Sequence, residues 1–457
     1  MNTMNIINPA SNDIITTVET DTVESIAHKL TELRIGQKTW AKLLLNERIK
    51  VIQKFASLLK VNLHSCAEIL SNEVGKPIQQ AINEINGACA RIEWLTNNAE
   101  KYLSEEWMVE TGATTEKIVY EPLGVVCNIS AWNYPYLVGT NVFIPALLAG
   151  NAIIYKPSEL ATLTGLQIEK FLIEAGVPKN VFHVAIGDKE VGAILLESDI
   201  DGYFFTGSYQ TGKYIYEQVS KKMKPCGLEL GGKDPLYVTE DISDIKNIAI
   251  NTADGAFYNN GQSCCSVERI YVHEKVYDAY VAAFVEEIKT YKIGAPNEPN
   301  VYIGALTRKN QPAFLAAQVQ DAISKGAKVL CGGNIITNDG NYFEPTVIVN
   351  TTHDMEVMKE ESFGPIIGIM KVKDDAEAIR LMNDTPYGLT ASVYCSNEQR
   401  TTAIQAELNA GTVYWNCCDR VSPSLPWSGR KNSGFGSTLS YLGLRTFTQP
   451  KAYHLRK

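Results

Sequence analysis

From Gly124 onward the chain alternates short apolar segments with amphipathic ones, and this pattern constrains the fold more than any other feature. Segments such as GVVCNIS, NAIIYKPS, VFHVAIG, GYFFTGS and CGLELGG are continuously apolar, as strands are when both faces of a sheet are covered. Helix candidates such as ATLTGLQIEKFLIEAG and TGKYIYEQVSKKM lie between them. Because strands that alternate with helices favour a doubly wound parallel sheet, the pattern predicts an α/β fold.

The alternation resumes after Cys264, where VERIYV, TVIVN, PIIGIMKV, TASVYC and GTVYWN are strand candidates. A chain of 457 residues also exceeds one ordinary domain and suits two or three. We therefore predict two α/β layers, joined by residues 227–265.

The rest of the chain has a different character. The first hundred residues carry apolar side chains at three- and four-residue spacing and predict mostly helices. WMVETGATTEKIVYEPL predicts two short strands around a turn at Gly112. Residues 422–437 are polar and rich in Gly and Ser, which makes them the candidate for a long functional loop.

Charge and cysteine content restrict the classes of partner. The net charge is −9 without a basic stripe, which argues against nucleic acid and anionic membranes as partners. The N-terminal residues do not resemble a signal peptide, and no apolar run has the length of a membrane span. Ten cysteines, some in adjacent pairs, and six histidines fit neither a disulfide scaffold nor a zinc site. We expect no metal and a reducing, cytoplasmic location.

Three segments contain residues suited to acyl chemistry. In NNGQSCCSVER a turn precedes Cys264, whose thiol could attack a carbonyl, although a buried structural cysteine would give the same pattern. Glu229 in LELGGKDP lies at an apolar strand end, where a raised pKa would suit a general base; an exposed glutamate is the alternative. Asn133 in SAWNYPY could donate to an oxyanion or be an ordinary turn residue.

Two further segments suggest a nucleotide site. In NAIIYKPSE, Lys156 could bind a ribose hydroxyl or a phosphate, and Glu159 could accept hydrogen bonds from ribose hydroxyls. Gly207 and Gly212, in FFTGSYQTG, flank a turn into a helix whose N-terminus could hold a pyrophosphate. This spacing is not GxGxxG, so the glycines alone are weak evidence. Glu361 and Phe363, in EESFGP, could equally belong to an ordinary loop.

Taken together and in this order, AWNYP, KPSE, FTGS, LELGG, GQSC, EESFGP and PWSGRKNSG resemble the aldehyde dehydrogenase superfamily. The resemblance runs from about INPAS to TQPK, nearly the whole chain. It implies an aldehyde dehydrogenase-like fold, with a Rossmann-like cofactor domain, a catalytic domain and a small β oligomerisation element. The implied ranges are 1–103, 123–231 and 433–447 for the NAD(P)-binding domain, 232–432 for the catalytic domain, and 104–122 and 448–457 for the oligomerisation element.

The resemblance assigns roles residue by residue. Cys264 matches the nucleophile, Glu229 the general base and Asn133 the oxyanion donor. The matching cofactor positions are Trp132, Lys156, Glu159, Gly207, Ser208, Gly212, Glu361 and Phe363. The matching substrate-pocket positions are Tyr134, Val138, Asn141, Tyr258, Ser263, Cys265, Val421 and Trp427.

The sequence departs from the family in ways that bear on mechanism and substrate. A Lys–Glu pair found in many members is replaced by Val142 and Thr438, so the proton must leave by another route. Three pocket aromatics resemble the boxes of betaine- and amino-aldehyde dehydrogenases, but Asn141 stands where those have tryptophan. Succinate-semialdehyde enzymes often have Arg at that position. Arg420 could bind a carboxylate instead, or be merely solvent-facing.

The implied activity is oxidation of an aldehyde to the carboxylic acid through a cysteine thiohemiacetal and thioester. We expect NAD as cofactor, with NADP possible, and a homodimer or homotetramer. A betaine- or amino-aldehyde is the first substrate candidate, and succinate semialdehyde or lactaldehyde the alternative. A CoA-acylating enzyme and a non-catalytic binding protein are the readings from other classes; Glu229, which the acylating branch typically lacks, favours hydrolysis.

Overall fold

The computed structural model describes residues 2–337 and 339–456; residues 1 and 457, the outer limits of two predicted ranges, lie outside them. The N-terminal part is mostly helical, as predicted. A two-stranded hairpin that the sequence analysis did not anticipate precedes the helices. The elements are β1 (Thr3–Ile7), β2 (Ile14–Glu19), α1 (Val23–Trp40), α2 (Leu45–Val61), α3 (Leu63–Val74) and α4 (Ile78–Leu103).

The next elements form a hairpin and the first large sheet, with helices between the strands. They are β3 (Glu106–Glu110), β4 (Thr114–Pro122), β5 (Val125–Ile129), α5 (Pro135–Ala149), β6 (Ala152–Lys156), α6 (Thr162–Ala175), β7 (Phe182–Val184), α7 (Lys189–Glu197), β8 (Gly202–Gly207), α8 (Tyr209–Ser220) and β9 (Cys226–Leu230). The turn of the β3–β4 hairpin includes Gly112, where the sequence predicted it.

The second α/β region follows directly. It comprises β10 (Pro235–Val238), α9 (Ile245–Phe257), β11 (Arg269–His273), α10 (Tyr277–Ile288), α11 (Gln311–Ser324), β12 (Lys328–Cys331), β13 (Ile335–Ile336), β14 (Tyr342–Phe343), β15 (Thr346–Val349), α12 (Glu356–Lys359), β16 (Ile366–Val372), α13 (Asp375–Asn383), β17 (Tyr387–Gly388), β18 (Thr390–Tyr394), α14 (Glu398–Ala406) and β19 (Thr412–Trp415). The chain ends with β20 (Arg430–Lys431), β21 (Gly434–Phe435), α15 (Ser440–Thr446) and β22 (Thr448–Arg456).

Two sheets organise the molecule. The first has the order β21-β9-β8-β5-β6-β7, and the second β12-β15-β16-β11-β10-β18-β19. Both are parallel except at one edge, where β21 and β12 run antiparallel to their neighbours. In the second sheet Leu236 and Val238 pack in one buried cluster and Tyr237 in another. Helices therefore cover both faces, as continuously apolar strands require.

A smaller sheet stands apart from these layers. Its order is β22-β4-β3, and β22 pairs with β4 over its whole length, from Thr448 opposite Pro122 to Arg456 opposite Thr114. The predicted hairpin and the predicted C-terminal strand thus meet within one chain. Among the described residues, no helix is both long and apolar enough to cross a membrane.

Candidate active site

Cys264 follows a tight turn between α9 and β11. Asn259 and Asn260 in that turn have left-handed backbone angles, with φ of 55° and 59°. Hydrogen bonds hold the turn: Gln80 Oε1 accepts from the Asn259 backbone N–H at 2.9 Å, and Asn260 Nδ2 donates to the Ala305 carbonyl at 3.0 Å. The turn therefore has a fixed shape and presents the half-buried Cys264 thiol.

Gly261 explains why a glycine precedes Gln262 in this motif. Its φ is +68°, and a Cβ atom would lie 2.3 Å from the carbonyl oxygen of Gly364. A side chain is excluded by both the backbone conformation and the contact. The GQSC turn is thereby packed directly against the EESFGP loop.

The Asn133 side chain is oriented toward the cysteine segment. It is buried, and Nδ2 donates to the carbonyl oxygen of Gln262 at 3.0 Å. Its own backbone carbonyl accepts from Lys76 Nζ at 2.7 Å and from Asn259 Nδ2 at 3.2 Å. The second N–H of Nδ2 has no acceptor among the described residues, so it remains available to an oxyanion.

Glu229 lies on β9 and is 9% exposed. Its Oε2 has no hydrogen-bond partner in the described part of the chain. Burial, followed by the proximity of Cys264, raises the pKa of this carboxyl well above its ordinary value. A carboxyl with a raised pKa can accept a proton from water near neutral pH.

One cavity brings these three side chains together. It has a volume of about 210 Å³ and is bordered by Cys264, Glu229 and Asn133. Five of the predicted cofactor positions also line this cavity: Trp132, Gly207, Ser208, Glu361 and Phe363.

The EESFGP loop forms one end of this cavity. Glu361 Oε1 accepts from the Gly232 backbone N–H at 3.2 Å, and burial, with the nearby Glu268, raises the pKa of Glu361 to about 8. The ring of Phe363 meets that of Trp132 edge to face, with centroids 5.4 Å apart. These groups form a partly aromatic wall beside Cys264.

A buried ion pair fixes this loop and was missed by the sequence analysis. Glu268 accepts from the backbone N–H groups of Ser362 and Phe363, both at 3.0 Å. Its charge is balanced by Lys233 Nζ at 2.6 Å. Lys233 lies within LELGGKDP and Glu268 within NNGQSCCSVER, and each stands just before a buried strand, β10 or β11. A charged residue in that position was the signal in the sequence.

Ser208, the N-cap of α8, also lines this cavity. Ser208 caps this helix by accepting from the Thr211 backbone N–H at 3.4 Å. Gly212 does not line the cavity. A Cβ at this position would lie 2.4 Å from Leu230 Cδ2, so only glycine fits here without a shift. It lets α8 pack closely on β9, whereas Gly207 and Ser208 border the open space.

Lys156 and Glu159 lie away from the cavity just described. Lys156 is buried, its Nζ donates to the Pro157 carbonyl at 3.3 Å, and burial lowers its pKa, with Glu159 opposing. Glu159 is exposed and accepts from Ser158 Oγ at 3.2 Å. It borders a separate cavity, and Arg308 lines both.

Several of the predicted substrate-pocket residues lie near Cys264 and Cys265. Trp427 and Cys265 pack together, with Val421 and Cys264 against them. Tyr134, Val138 and Asn141 are spaced three to four residues apart at the start of α5, so they share a face. The Tyr134 hydroxyl has its pKa raised well above normal by burial, with Asp419, Tyr258 and Cys265 contributing.

Asp419 is a carboxylate that the sequence analysis missed in this pocket. Its Oδ1 accepts from Cys265 Sγ at 3.0 Å and from Ser263 Oγ at 3.3 Å. Burial raises its pKa to about 6. The signal in the sequence was that Asp419 directly precedes Arg420, which was considered as a ligand for a substrate carboxylate.

Two polar residues complete this side. Tyr258 Oη accepts from Asn83 Nδ2 at 3.0 Å. Arg91 of α4, also missed from sequence, donates from Nη1 to Asn141 Oδ1 at 2.8 Å. Its signal was a charged residue within the buried stripe of α4.

The two positions that depart from the family lie close together. Val142 and Thr438 both border a small cavity of about 10 Å³ with Glu229. The Thr438 hydroxyl, like Glu229 Oε2, has no hydrogen-bond partner in the described ranges. Because Val142 and Thr438 are both uncharged, neither places a charge beside the Glu229 carboxyl. Within the described residues, no group of His, Cys, Asp or Glu side chains is arranged to hold a metal.

Comparison with known proteins extends these observations. A family model described as "Aldehyde dehydrogenase family" matches residues 1–453. Aminoaldehyde dehydrogenase 1, peroxisomal, of Pisum sativum is 34% identical over 457 residues, covering 97% of this chain and 91% of the relative. The crystal structure of aldehyde dehydrogenase KauB from Pseudomonas aeruginosa superposes with a TM-score of 0.97 at 31% identity, covering 100% of this chain and 94% of that one. Indole-3-acetaldehyde dehydrogenase complexed with NAD⁺ gives 0.96 at 29% identity, with 100% and 93% covered.

Proposed function

This chain belongs to the aldehyde dehydrogenase family, and from that premise we propose that it oxidises an aldehyde to the carboxylic acid through a covalent intermediate on Cys264. The family supports an NAD(P)-dependent oxidoreductase. The observation that carries the proposal is the single cavity bordered by Cys264, Glu229 and Asn133. A nucleophile, a base and an oxyanion donor are the groups that acyl chemistry requires.

The cavity walls suit a nicotinamide nucleotide. Trp132 and Phe363 offer aromatic surface, Glu361 offers a carboxyl to ribose hydroxyls, and the N-terminus of α8 at Ser208 suits a pyrophosphate. When bound, the nicotinamide ring supplies the hydride acceptor.

The side chains of this chain carry the remaining steps. The Cys264 thiolate attacks the carbonyl carbon, a C–S bond forms, and the π electrons move to oxygen. The free N–H of Asn133 Nδ2 stabilises that oxyanion. Once the acyl group is a thioester, Glu229 accepts a proton from a water molecule that attacks the acyl carbon. The C–S bond then breaks, releasing the acid and restoring the thiolate.

The alternative acyl acceptor is CoA. The presence of Glu229 at an otherwise apolar strand end, on the same cavity as Cys264, supports water as the acceptor. A non-catalytic binding protein would not need a half-exposed thiol, a raised-pKa carboxyl and an oriented amide in one cavity.

The test of the activity is a panel of aldehydes with NAD⁺ or NADP⁺, followed by NADH or NADPH absorbance, with and without CoA. Oxidation that does not depend on CoA and yields free acid is the expected result. Strict CoA dependence would replace the proposal with the acylating reaction, and no turnover on any aldehyde would contradict it.

Two observations bear on the substrate. The pea relative is named for aminoaldehydes, and Tyr134, Tyr258 and Trp427 supply aromatic surface that suits a cationic substrate group. The Arg91 guanidinium beside Asn141 suits an anionic group such as that of succinate semialdehyde.

Cofactor choice and setting complete the proposal. Glu159 favours NAD⁺, because a carboxylate accepts from ribose hydroxyls and repels a 2′-phosphate. Ten free cysteines are consistent with a reducing, cytoplasmic setting. The three-stranded sheet suits assembly into a dimer or a tetramer.

A further inference from the structure

Arg91 is the most unusual charged residue on the substrate side. The side chain is 8% exposed and belongs to the buried face of α4. Its Nη1 donates to Asn141 Oδ1 at 2.8 Å and to the Leu137 carbonyl at 3.4 Å. Nε and Nη2 have no acceptor among the described residues, and no carboxylate there forms an ion pair with it. More than half of its five N–H donors are thus unused.

Three other buried cations of this chain are satisfied more completely. Lys76 is paired with Glu84 and Lys233 with Glu268. Arg269 uses Nε, Nη1 and Nη2, all of them on protein oxygens. An unpaired buried guanidinium is costly, so packing alone does not account for Arg91.

The position of Arg91 on α4 links it to the reactive cysteine. Asn83, Gly87 and Arg91 are four residues apart and share one helix face. Asn83 contacts Tyr258 at the cysteine turn, and Gly87 faces Leu137 of α5. Arg91 lies two turns further on, about 12 Å along the helix axis from Asn83. The face therefore runs from the cysteine turn to the guanidinium.

The electrostatic surroundings agree with this placement. Burial lowers the pKa of Arg91 to about 10, while Cys265, Glu84, Cys264 and Tyr134 act to raise it. The guanidinium remains fully charged at neutral pH. Glu84, the carboxylate among these groups, is already engaged by Lys76.

We propose that Arg91 binds a carboxylate at the far end of the substrate, so that the preferred substrates are aldehydes with a terminal carboxylate, such as semialdehydes of dicarboxylic acids. The proposal rests on the proposed function, because the aldehyde end must reach Cys264. Arg91 reaches Asn141 from the neighbouring helix α4. Its guanidinium therefore supplies a positive charge beside Asn141, whose own side chain is uncharged. Two or three charge-assisted hydrogen bonds from Nε and Nη2 would satisfy the donors that protein groups leave unused.

The residues that would favour a cationic substrate are partly engaged. Lys76 Nζ lies 3.8 Å from the centroid of the Tyr134 ring, so one face of that ring already binds a protein cation. Asp419 accepts from Cys265 and Ser263. The Asp419 carboxylate is nevertheless the group best suited to bind a cationic substrate. The test therefore includes a substrate that ends in an ammonium group.

The experiment compares kcat/KM for three aldehydes of matched length that end in a carboxylate, a methyl group or an ammonium group, over a series of increasing chain lengths. The wild type should prefer the carboxylate. Arg91→Gln should lower the ratio of carboxylate to methyl substrate roughly 10- to 100-fold, mainly through KM, and Arg91→Lys should restore part of it. Arg420→Gln is the matched control, an exposed arginine on the same side, and should leave the ratio unchanged.

A second readout does not require the carboxylate substrate to be oxidised. A saturated dicarboxylate should inhibit oxidation of the methyl-terminated aldehyde competitively in the wild type and more weakly in Arg91→Gln. An equal loss on all substrates in both Arg91 variants, with inhibition unchanged, would show a structural residue and overturn the proposal. Preference for the ammonium substrate, or loss of the ratio in Arg420→Gln alone, would also overturn it. Failure to oxidise any aldehyde would instead contradict the proposed function.

Discussion

At the scale of single residues, the two adjacent thiols of the GQSCC segment differ in their surroundings. Cys264 borders the cavity and is half-buried. Cys265 donates to Asp419, and its pKa is raised well above the usual value by interaction with the Cys264 side chain and by burial. We therefore predict that Cys264, and not Cys265, is the nucleophile.

Substitution of the two cysteines tests this difference. Cys264→Ala should lower kcat for aldehyde oxidation by roughly a thousandfold or more, because the covalent step is lost. Cys265→Ala removes a donor to Asp419 but should retain most of the rate. Steady-state NADH formation measures both, with circular dichroism to confirm folding. Substantial turnover by Cys264→Ala would refute the assignment.

Glu229 is predicted to act after hydride removal, so its loss should separate the two halves of the reaction. Glu229→Gln should give a burst of NADH close to one per active site, followed by turnover slowed by roughly 10²–10⁴-fold. Stopped-flow absorbance resolves the burst, and mass spectrometry of the quenched enzyme detects the thioester. An unchanged steady-state rate would exclude Glu229 as the base.

The raised pKa of Glu229 also sets the sign of two pH effects. Deacylation needs the ionised carboxyl, so its rate should rise with pH toward the raised pKa. The folded state binds the proton more tightly than the unfolded state, whose pKa is near 4.5, so this group's contribution to stability is present at low pH and lost as pH rises. The Tm of Glu229→Gln relative to wild type should accordingly increase from pH 5 to pH 8, whereas a constant difference would contradict the raised pKa.

We expect one exposed carboxylate, that of Glu159, to decide the choice between NAD⁺ and NADP⁺. Repulsion between Glu159 and a 2′-phosphate should cost ~1–3 kcal/mol, or roughly ten- to hundredfold in affinity. The wild type should prefer NAD⁺, and Glu159→Gln should reduce the ratio of kcat/KM for NAD⁺ over NADP⁺. The Lys156 amine donates to the Pro157 carbonyl. Rotation of this amine toward a 2′-phosphate would favour NADP⁺ and is the alternative to selection by Glu159. A wild type that prefers NADP⁺, or an unchanged ratio in the variant, would exclude Glu159 as the selector.

At the scale of elements, the apolar strands and the helices between them follow from local pattern, and the prediction of an α/β fold is confirmed. The β1–β2 hairpin was missed because its strands are largely exposed and lack the continuous apolar pattern. Within the predicted helical region, α2 ends and α3 begins at Asn62, whose Nδ2 donates to the Leu58 carbonyl. Local side-chain bonds of this kind compete with helix propagation.

Residues of the candidate site that belong to a sequence motif could be predicted. Residues that join the site only through a tertiary contact could not. Cys264, Glu229 and Asn133 come from three distant segments, and their common cavity follows from the fold. Arg91 and Asp419 belong to no motif. Each gains its significance from what it contacts, Asn141 in one case and Cys265 in the other.

The cysteine turn itself gives a prediction at this scale. Gly261→Ala should destabilise the protein by ~1–2 kcal/mol through its left-handed backbone and by a further ~1–3 kcal/mol through the contact with Gly364. It should also lower activity, because the turn carries Cys264. Gly326→Ala is the matched control, since its φ is +93° but a Cβ would meet nothing within 4 Å. Thermal unfolding and kcat measure both variants, and equal effects would show that the contact with Gly364 is unimportant.

At the scale of the whole molecule, the candidate site lies where the two α/β regions meet. Asn133 follows a strand of the first sheet and bonds to Gln262 of the cysteine segment. Glu229 lies near the end of β9 in that sheet, six residues before the second sheet begins at Pro235. Further contacts join the regions, including Thr307 Oγ1 to the Val74 carbonyl. The reacting groups are thus held in register only when both regions are folded and packed.

The three-stranded sheet presents the surface best suited to assembly. Trp107, Met108 and Val109 on its edge strand β3 are 52%, 59% and 38% exposed. An edge strand with apolar side chains and unpaired backbone groups tends to pair with another chain. We therefore expect a homodimer or homotetramer that uses this edge.

Light scattering at micromolar concentration tests that expectation. The wild type should have the mass of two or four chains, and Met108→Lys with Val109→Lys should shift it toward one, because charges on an edge strand oppose strand pairing. Val61→Lys is the control, since Val61 is 82% exposed at the end of α2, away from the sheet, and should leave the mass unchanged. A monomeric wild type would contradict the assembly. A mass unaffected by the double substitution would place the interface elsewhere on the molecule.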